Sequence, residues 1–229
     1  MENQWHYHTF STPGNLHNRR SIPNQDRYCC LESRDSYCAV LADGTGKTAL
    51  NSLAGARVTS VLAHYLLKHE HRIRDADRQT VAKNIMLQIQ RTLDDFCAEY
   101  LVDQKELSST FLALQVNAID DTYTLMHLGD GVAAAGFVDH TIHILSQPEN
   151  GNRLNQTVLT TSETALGNLR IQNGSAHNIH SFLLATDGVY NGTHDICILE
   201  KIFRNPQICD TIGNKEDDQS VILLTRTSY

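Results

Sequence analysis

The chain has 229 residues, of which 41% are hydrophobic and 20% charged, a balance that suits a folded domain with a sizeable core and excludes disorder. Its formal net charge of −7 and pI near 5.9 argue against a nucleic-acid or anionic-membrane surface, because both need clustered positive charge and the 19 Lys and Arg residues form no long run. No apolar stretch reaches the length of a membrane span, and the start, MENQWHYHTF, lacks the basic and apolar regions of a secretory signal, so a single cytoplasmic domain over residues 1–229 is expected.

Trp5 to Thr12 reads as a strand ended by the Pro13-Gly14 break, and the segment from Gly14 to Tyr28 reads as a polar, turn-rich connection. Tyr28 to Leu31 and Tyr37 to Ala42 flank the polar ESRDS as a hairpin. Ala54, Val58, Val61, Leu62, Tyr65 and Leu66 recur at helical spacing and predict a long amphipathic helix from about Thr48 to Lys68. Val81, Ile85, Ile89, Leu93, Phe96 and Tyr100 predict a second. Past Ser108 come short β-branched and apolar runs: STFLALQV, TYTLMHLG, GVAAAGFV, HTIHILS, NQTVLTT and HSFLLAT, joined by short turns as in an antiparallel meander. A short helix near Ile196 to Phe203 and a strand at Ser220 to Thr225 follow. Helices followed by runs of strands predict an α+β architecture.

Acidic residues recur where the apolar runs stop. Asp43-Gly44 ends the run in YCAVLADG, Gly129-Asp130-Gly131 interrupts another, Asp187-Gly188 ends HSFLLAT, and Asp217-Asp218 opens the last one. A single such Asp is ordinary turn or cap chemistry. Four at strand ends can converge on one cleft, and oxygen ligands of that kind suit hard divalent cations. The six cysteines contain no C-x-x-C pair, so free thiols are expected, and the histidines of WHYH have no partner at zinc-site spacing.

NQDRY, VLADGTG, SSTFLAL, MHLGDGVAAAG, LLATDGVY and DDQSVILL occur in an order that resembles the metal-dependent serine/threonine protein phosphatases of the 2C type, over nearly the whole chain. Gly14, His17 and Asn24-Gln25-Asp26, with PENGNRLNQT from Pro148 to Thr157, are similar to a compact bacterial branch of that family. The resemblance implies a four-layer α-β-β-α sandwich of two antiparallel sheets flanked by helices. It also implies two Mg²⁺ or Mn²⁺ ions, with Asp43 bridging them, the Gly44 carbonyl on one, and Asp187 and Asp217 completing the shell of the other. Asp26 and Gln25 would act mainly through metal-bound waters, and Asp130 would sit with Asp187 near a third, weaker metal site.

The implied chemistry is hydrolysis of phosphoserine or phosphothreonine in a protein, a target of a cognate Ser/Thr kinase, by a metal-bridged hydroxide and without a covalent phosphoenzyme. Thr45 stands where many eukaryotic members have a His that serves as general acid. A threonine hydroxyl is too weakly acidic for that duty, which makes His17 the first candidate for proton donor. His17, Arg19 and Arg20 are the candidates for holding the phosphate, with an exposed polar loop as the plain alternative. Two other functions stay open on the sequence: a catalytically weak 2C-like module that binds a phosphoprotein or kinase, and a phosphatase of a small phosphorylated metabolite.

Overall fold

A computed structural model describes residues 4–149, 157–190, 196–212 and 214–227. Its elements run β1 Trp5–Thr12, α1 Asn15–Arg20, β2 Arg27–Glu32, β3 Ser36–Ala42, α2 Ala49–Lys68, α3 Glu70–Asp75 and α4 Arg78–Tyr100. There follow β4 Phe111–Asn117, β5 Thr122–Leu128, β6 Val132–Phe137, β7 Ile142–Ser146, α5 Ala165–Asn168, β8 Arg170–Ser175 and β9 Ile179–Ala185. The last are α6 Asp187–Tyr190, α7 Ile196–Arg204, α8 Cys209–Ile212 and β10 Gln219–Arg226.

The strands form two five-stranded antiparallel sheets, β1-β10-β9-β6-β7 and β2-β3-β4-β5-β8. Because side chains alternate across a strand, the two faces of each sheet feed different apolar layers. Between the sheets Leu41, Leu114, Phe182, Leu184 and Ile222 pack with Trp5. On the outer face of the second sheet, Val40, Ala113 and Met126 meet Val58, Leu62, Ile89 and Phe96 of α2 and α4. On the outer face of the first, Leu183 and Leu223 meet Val189, Leu199 and Ile202 of α6 and α7. Two sheets thus lie between two helical layers, the expected α-β-β-α order.

The helix from Thr48 is capped by the Thr48 side chain, which accepts from the Asn51 amide, and α4 is capped in the same way by Asp77. The turn-rich segment after Pro13 departs from expectation, since Asn15–Arg20 is helical although it buries no residue; it is held instead by docking on the loop before β10, where the Asn15 amide donates to the Lys215 carbonyl at 2.7 Å. The described part of NQTVLTT, from Thr157, is not a strand, because its hydroxyls and amides bond across to other loops: the Thr160 amide donates to Ser109 O. Asn155 and Gln156 lie outside the described residues. Among the described residues no helix is long and apolar enough to cross a membrane.

Candidate active site

Sheet order brings the acids together. β10, β9 and β6 are neighbours, so Asp217 before β10, Asp187 after β9 and Asp130 before β6 emerge at one end of the first sheet. Asp43 follows β3 of the facing sheet at the same end. Its carbonyl accepts from the Thr110 amide at 2.9 Å, and Gly44 forms an isolated bridge with Ser109, which extends the β3 to β4 pairing just far enough to fix the Asp43 backbone.

Asp43, Asp130 and Asp187 each offer a carboxylate oxygen within 4.8 Å of the others. Asp130, expected with Asp187 near a third site, does lie with Asp187 and Asp43 in that trio, and it accepts a hydrogen bond from Thr157 Oγ1, the last residue of PENGNRLNQT. Asp217 is outside that trio; burial raises its pKa first, and the charges of Asp218 and then Asp130 add to the rise. Burial, then the charges of Asp26, Asp187, Asp217 and Asp130, push the Asp43 carboxyl well above the usual range. Burial and the Asp130 and Asp217 charges raise Asp187 to about 6. Like charges in a dry place disfavour one another's ionisation.

Asp26 is buried, and desolvation raises it to about 8 against the hydrogen bond that Thr186 Oγ1 donates to its Oδ2 at 2.9 Å. Its Oδ1 and the Oε1 of the neighbouring Gln25, both buried, have no donor among the described residues. Divalent cations fit this place. The donor set is all oxygen, two buried acceptors are left without partners, and no Lys or Arg pairs with Asp43, Asp130, Asp187 or Asp217 among the described residues.

His17 lies on α1, and its Nδ1 is hydrogen-bonded with Asp218 Oδ1 at 2.8 Å. Arg19 on the same helix is exposed and paired with Glu216, and Arg20 is exposed. Thr45 turns its hydroxyl to the Ser108 carbonyl at 3.3 Å. Sequence reasoning took Asp217 from the acidic pair and left Asp218 without a task; its signal was the doubled Asp itself. It also missed Thr186, whose hydroxyl anchors Asp26 and also lies 3.4 Å from the Ser220 carbonyl.

Packing at the site is tight. A Cβ on Gly188 would stand 1.9 Å from the Asp218 carbonyl oxygen, so only glycine lets α6 start against the loop that carries Asp217.

The family model described as protein phosphatase 2C matches residues 13–210. The chain belongs to the protein phosphatase 2C family. No curated protein matches it in sequence. Among solved structures it shares the fold of RsbX in complex with magnesium, at 13% identity, a TM-score of 0.65, and coverage of 99% of this chain and 97% of that one. The catalytic domain of the serine/threonine phosphatase PstP with two manganese ions matches at 16% identity and TM-score 0.67, covering 98% and 99%. PppA, a regulatory component of T6SS in Pseudomonas aeruginosa, matches at 16% identity and TM-score 0.64, covering 99% of each chain.

Proposed function

We propose that this chain hydrolyses phosphoserine and phosphothreonine in proteins with a pair of Mg²⁺ or Mn²⁺ ions, releasing phosphate directly to water without a phosphorylated enzyme. The observation that carries the reading is the meeting of Asp43, Asp130 and Asp187 from both sheets, with Asp217 near enough for its charge to act on Asp43 and no basic partner among the described residues. Asp43, with the Gly44 carbonyl beside it, faces Asp187 and Asp217 and would hold the ions between the sheets, while Asp130 and Asp187 offer a further, weaker position. When bound, divalent ions supply Lewis acidity that lowers the pKa of water and offsets charge on the phosphoryl oxygens.

The chain's own groups do the rest. Asp26, fixed by Thr186, orders water behind the cluster through its free Oδ1, with Gln25 Oε1 beside it. His17 gives the proton that the departing serine or threonine oxygen needs. Arg19 and Arg20, on the same helix as His17, hold the phosphate, Arg19 by exchanging its exposed pairing with Glu216 for the substrate. The phosphoprotein is the product of a Ser/Thr kinase in the same compartment, the cytoplasm. The test is hydrolysis of a phosphothreonine peptide as Mn²⁺ is titrated in. We expect metal-dependent turnover that Asp43→Asn removes, with sugar phosphates left intact; turnover independent of metal and of Asp43 overturns the reading.

A further inference from the structure

Asp218 is the most heavily used acceptor near the site and has no part in the proposed chemistry. Its side chain is 3% exposed and takes three N–H donors: the Gly14 amide on Oδ1 at 2.7 Å, His17 Nδ1 on the same oxygen at 2.8 Å, and the Gln25 amide on Oδ2 at 2.6 Å. Those donors come from the start of α1, from α1 itself and from the segment before β2. One carboxylate therefore joins three parts of the site to the loop that carries Asp217.

Two further contacts fix the geometry. A Cβ on Gly14 would lie 2.4 Å from the Asp217 carbonyl carbon, so the chain passes that peptide at a distance only glycine allows. The amides of Asn15 and Leu16 then donate to the carbonyls of Lys215 and Glu216 at 2.7 and 3.3 Å. Helix α1 is thus stapled to the acidic loop at its first turn, and His17 follows one residue later.

We propose that Asp218 is a positioning residue that holds the His17 ring by Nδ1 and so leaves Nε2 as the nitrogen presented to the phosphoryl centre; the imidazolium form carries on Nε2 the proton given to the departing oxygen, and the neutral Nδ1–H ring that remains stays bonded to Asp218. Both Asp218 oxygens already act as acceptors, for the Gly14 and Gln25 amides, so the side chain serves here as an acceptor and Nδ1 carries the hydrogen. Nε2 makes no hydrogen bond among the described residues, and the carboxylate that holds the ring is the immediate chain neighbour of Asp217. The arrangement is the one by which a buried carboxylate fixes the tautomer and direction of a working imidazole. The role in turnover rests on the reading of His17 as proton donor; the fixing of the ring does not.

The test has two arms, on metal-free and Mg²⁺-loaded protein. In the first, ¹⁵N spectra of histidine-labelled protein, recorded across a pH titration and with the His17 signals assigned by their loss in His17→Ala, show at the alkaline end, where the ring is neutral, an Nδ1–H tautomer in the wild type that Asp218→Ala abolishes and Asp218→Asn partly keeps. A wild-type Nε2–H tautomer, or one untouched by Asp218→Ala in a folded protein, overturns the proposal. In the second, Asp218→Ala lowers kcat for an alkyl phosphate about 10- to 100-fold with little change for nitrophenyl phosphate or in KM. That loss is smaller in Asp218→Asn and vanishes in the His17→Ala background. Equal loss on both substrates, or the same loss without His17, marks a merely structural role and overturns the proposal. If His17→Ala keeps full turnover on alkyl phosphates while the spectra show the fixed ring, the positioning stands and the proton-donor reading fails.

Discussion

Glu70, Asp120 and Asp121 gather at the end of the sandwich where β3 begins and β10 finishes, and each has donors of its own. Glu70 accepts from Ser36 Oγ and Asn117 Nδ2, Asp120 pairs with Arg74, and Asp121 pairs with Arg226 and lies 3.3 Å from His177 Nδ1. Asp43, Asp130, Asp187 and Asp217 gather at the opposite end of the same strands with no guanidinium or ammonium against them among the described residues. The residue type is the same at both ends, so its chemistry is set by the neighbours. Carboxylates with partners hold loops together, whereas carboxylates packed against one another destabilise the fold until a cation joins them.

The sharpest way to break that contrast is Asp43→Asn. With its carboxyl raised in the folded state, Asp43 ionises more readily unfolded, so the stability it allows below a pH near 3.8 is lost as pH rises. At pH 7 we expect Asp43→Asn to abolish metal-dependent turnover, yet to raise the Tm of the metal-free protein and erase the Tm increase on adding Mn²⁺, as read by thermal denaturation with and without the ion. A lower metal-free Tm would mean the acids at this end are paired after all.

Gly188→Ala comes next. Since the new methyl would meet the Asp218 carbonyl at 1.9 Å, α6 or the Asp217 loop has to move. Enzymes are sensitive to displacements of about 1 Å, so kcat should fall about 100-fold while circular dichroism stays native.

At the paired end, Arg226→Ala removes both the partner of Asp121 and a guanidinium 4.7 Å from the Trp5 ring centroid. Unfolding in urea should show a loss of about 2 kcal/mol with kcat unchanged. A matching loss of turnover would show that the two ends are not separate.

The smallest effect concerns His127, a buried ring on β5 whose Nδ1 accepts from Arg170 at 2.9 Å. Burial and then the Arg170 charge push it down from 6.5 to about 3. The unfolded chain takes the proton first, so stability from His127 is full above pH 6.5 and declines as pH falls toward 3, by at most about 1.4 kcal/mol per pH unit. His127→Gln should therefore narrow the stability difference between pH 7 and pH 5.

Much of the sandwich was legible because its periodicity is strong: β3, β4 and β9 bury nearly every residue, and α2 and α4 repeat at helical spacing. Strand β8, RIQNGS, was not. It is an edge strand with Ile171 as its one buried residue, so no alternation marks it. Helix α1 hid for the same reason, being polar and held by loop contacts that no local pattern encodes. The acidic motifs could be read from their recurrence at strand ends. Which of them would touch could not, because Asp130 reaches Asp43 only through the facing of two sheets, and Asp218 shows its work only once Gly14, His17 and Gln25 have folded onto it.

Asp43 belongs to one sheet and Asp130, Asp187 and Asp217 to the other, so ions held between them would clasp the sandwich. Affinity for such an ion and the spacing of the sheets would then be one linked quantity: trimming Phe182 or Leu114 in the middle layer would weaken the ion's hold, and the ion, once bound, would tighten the seam.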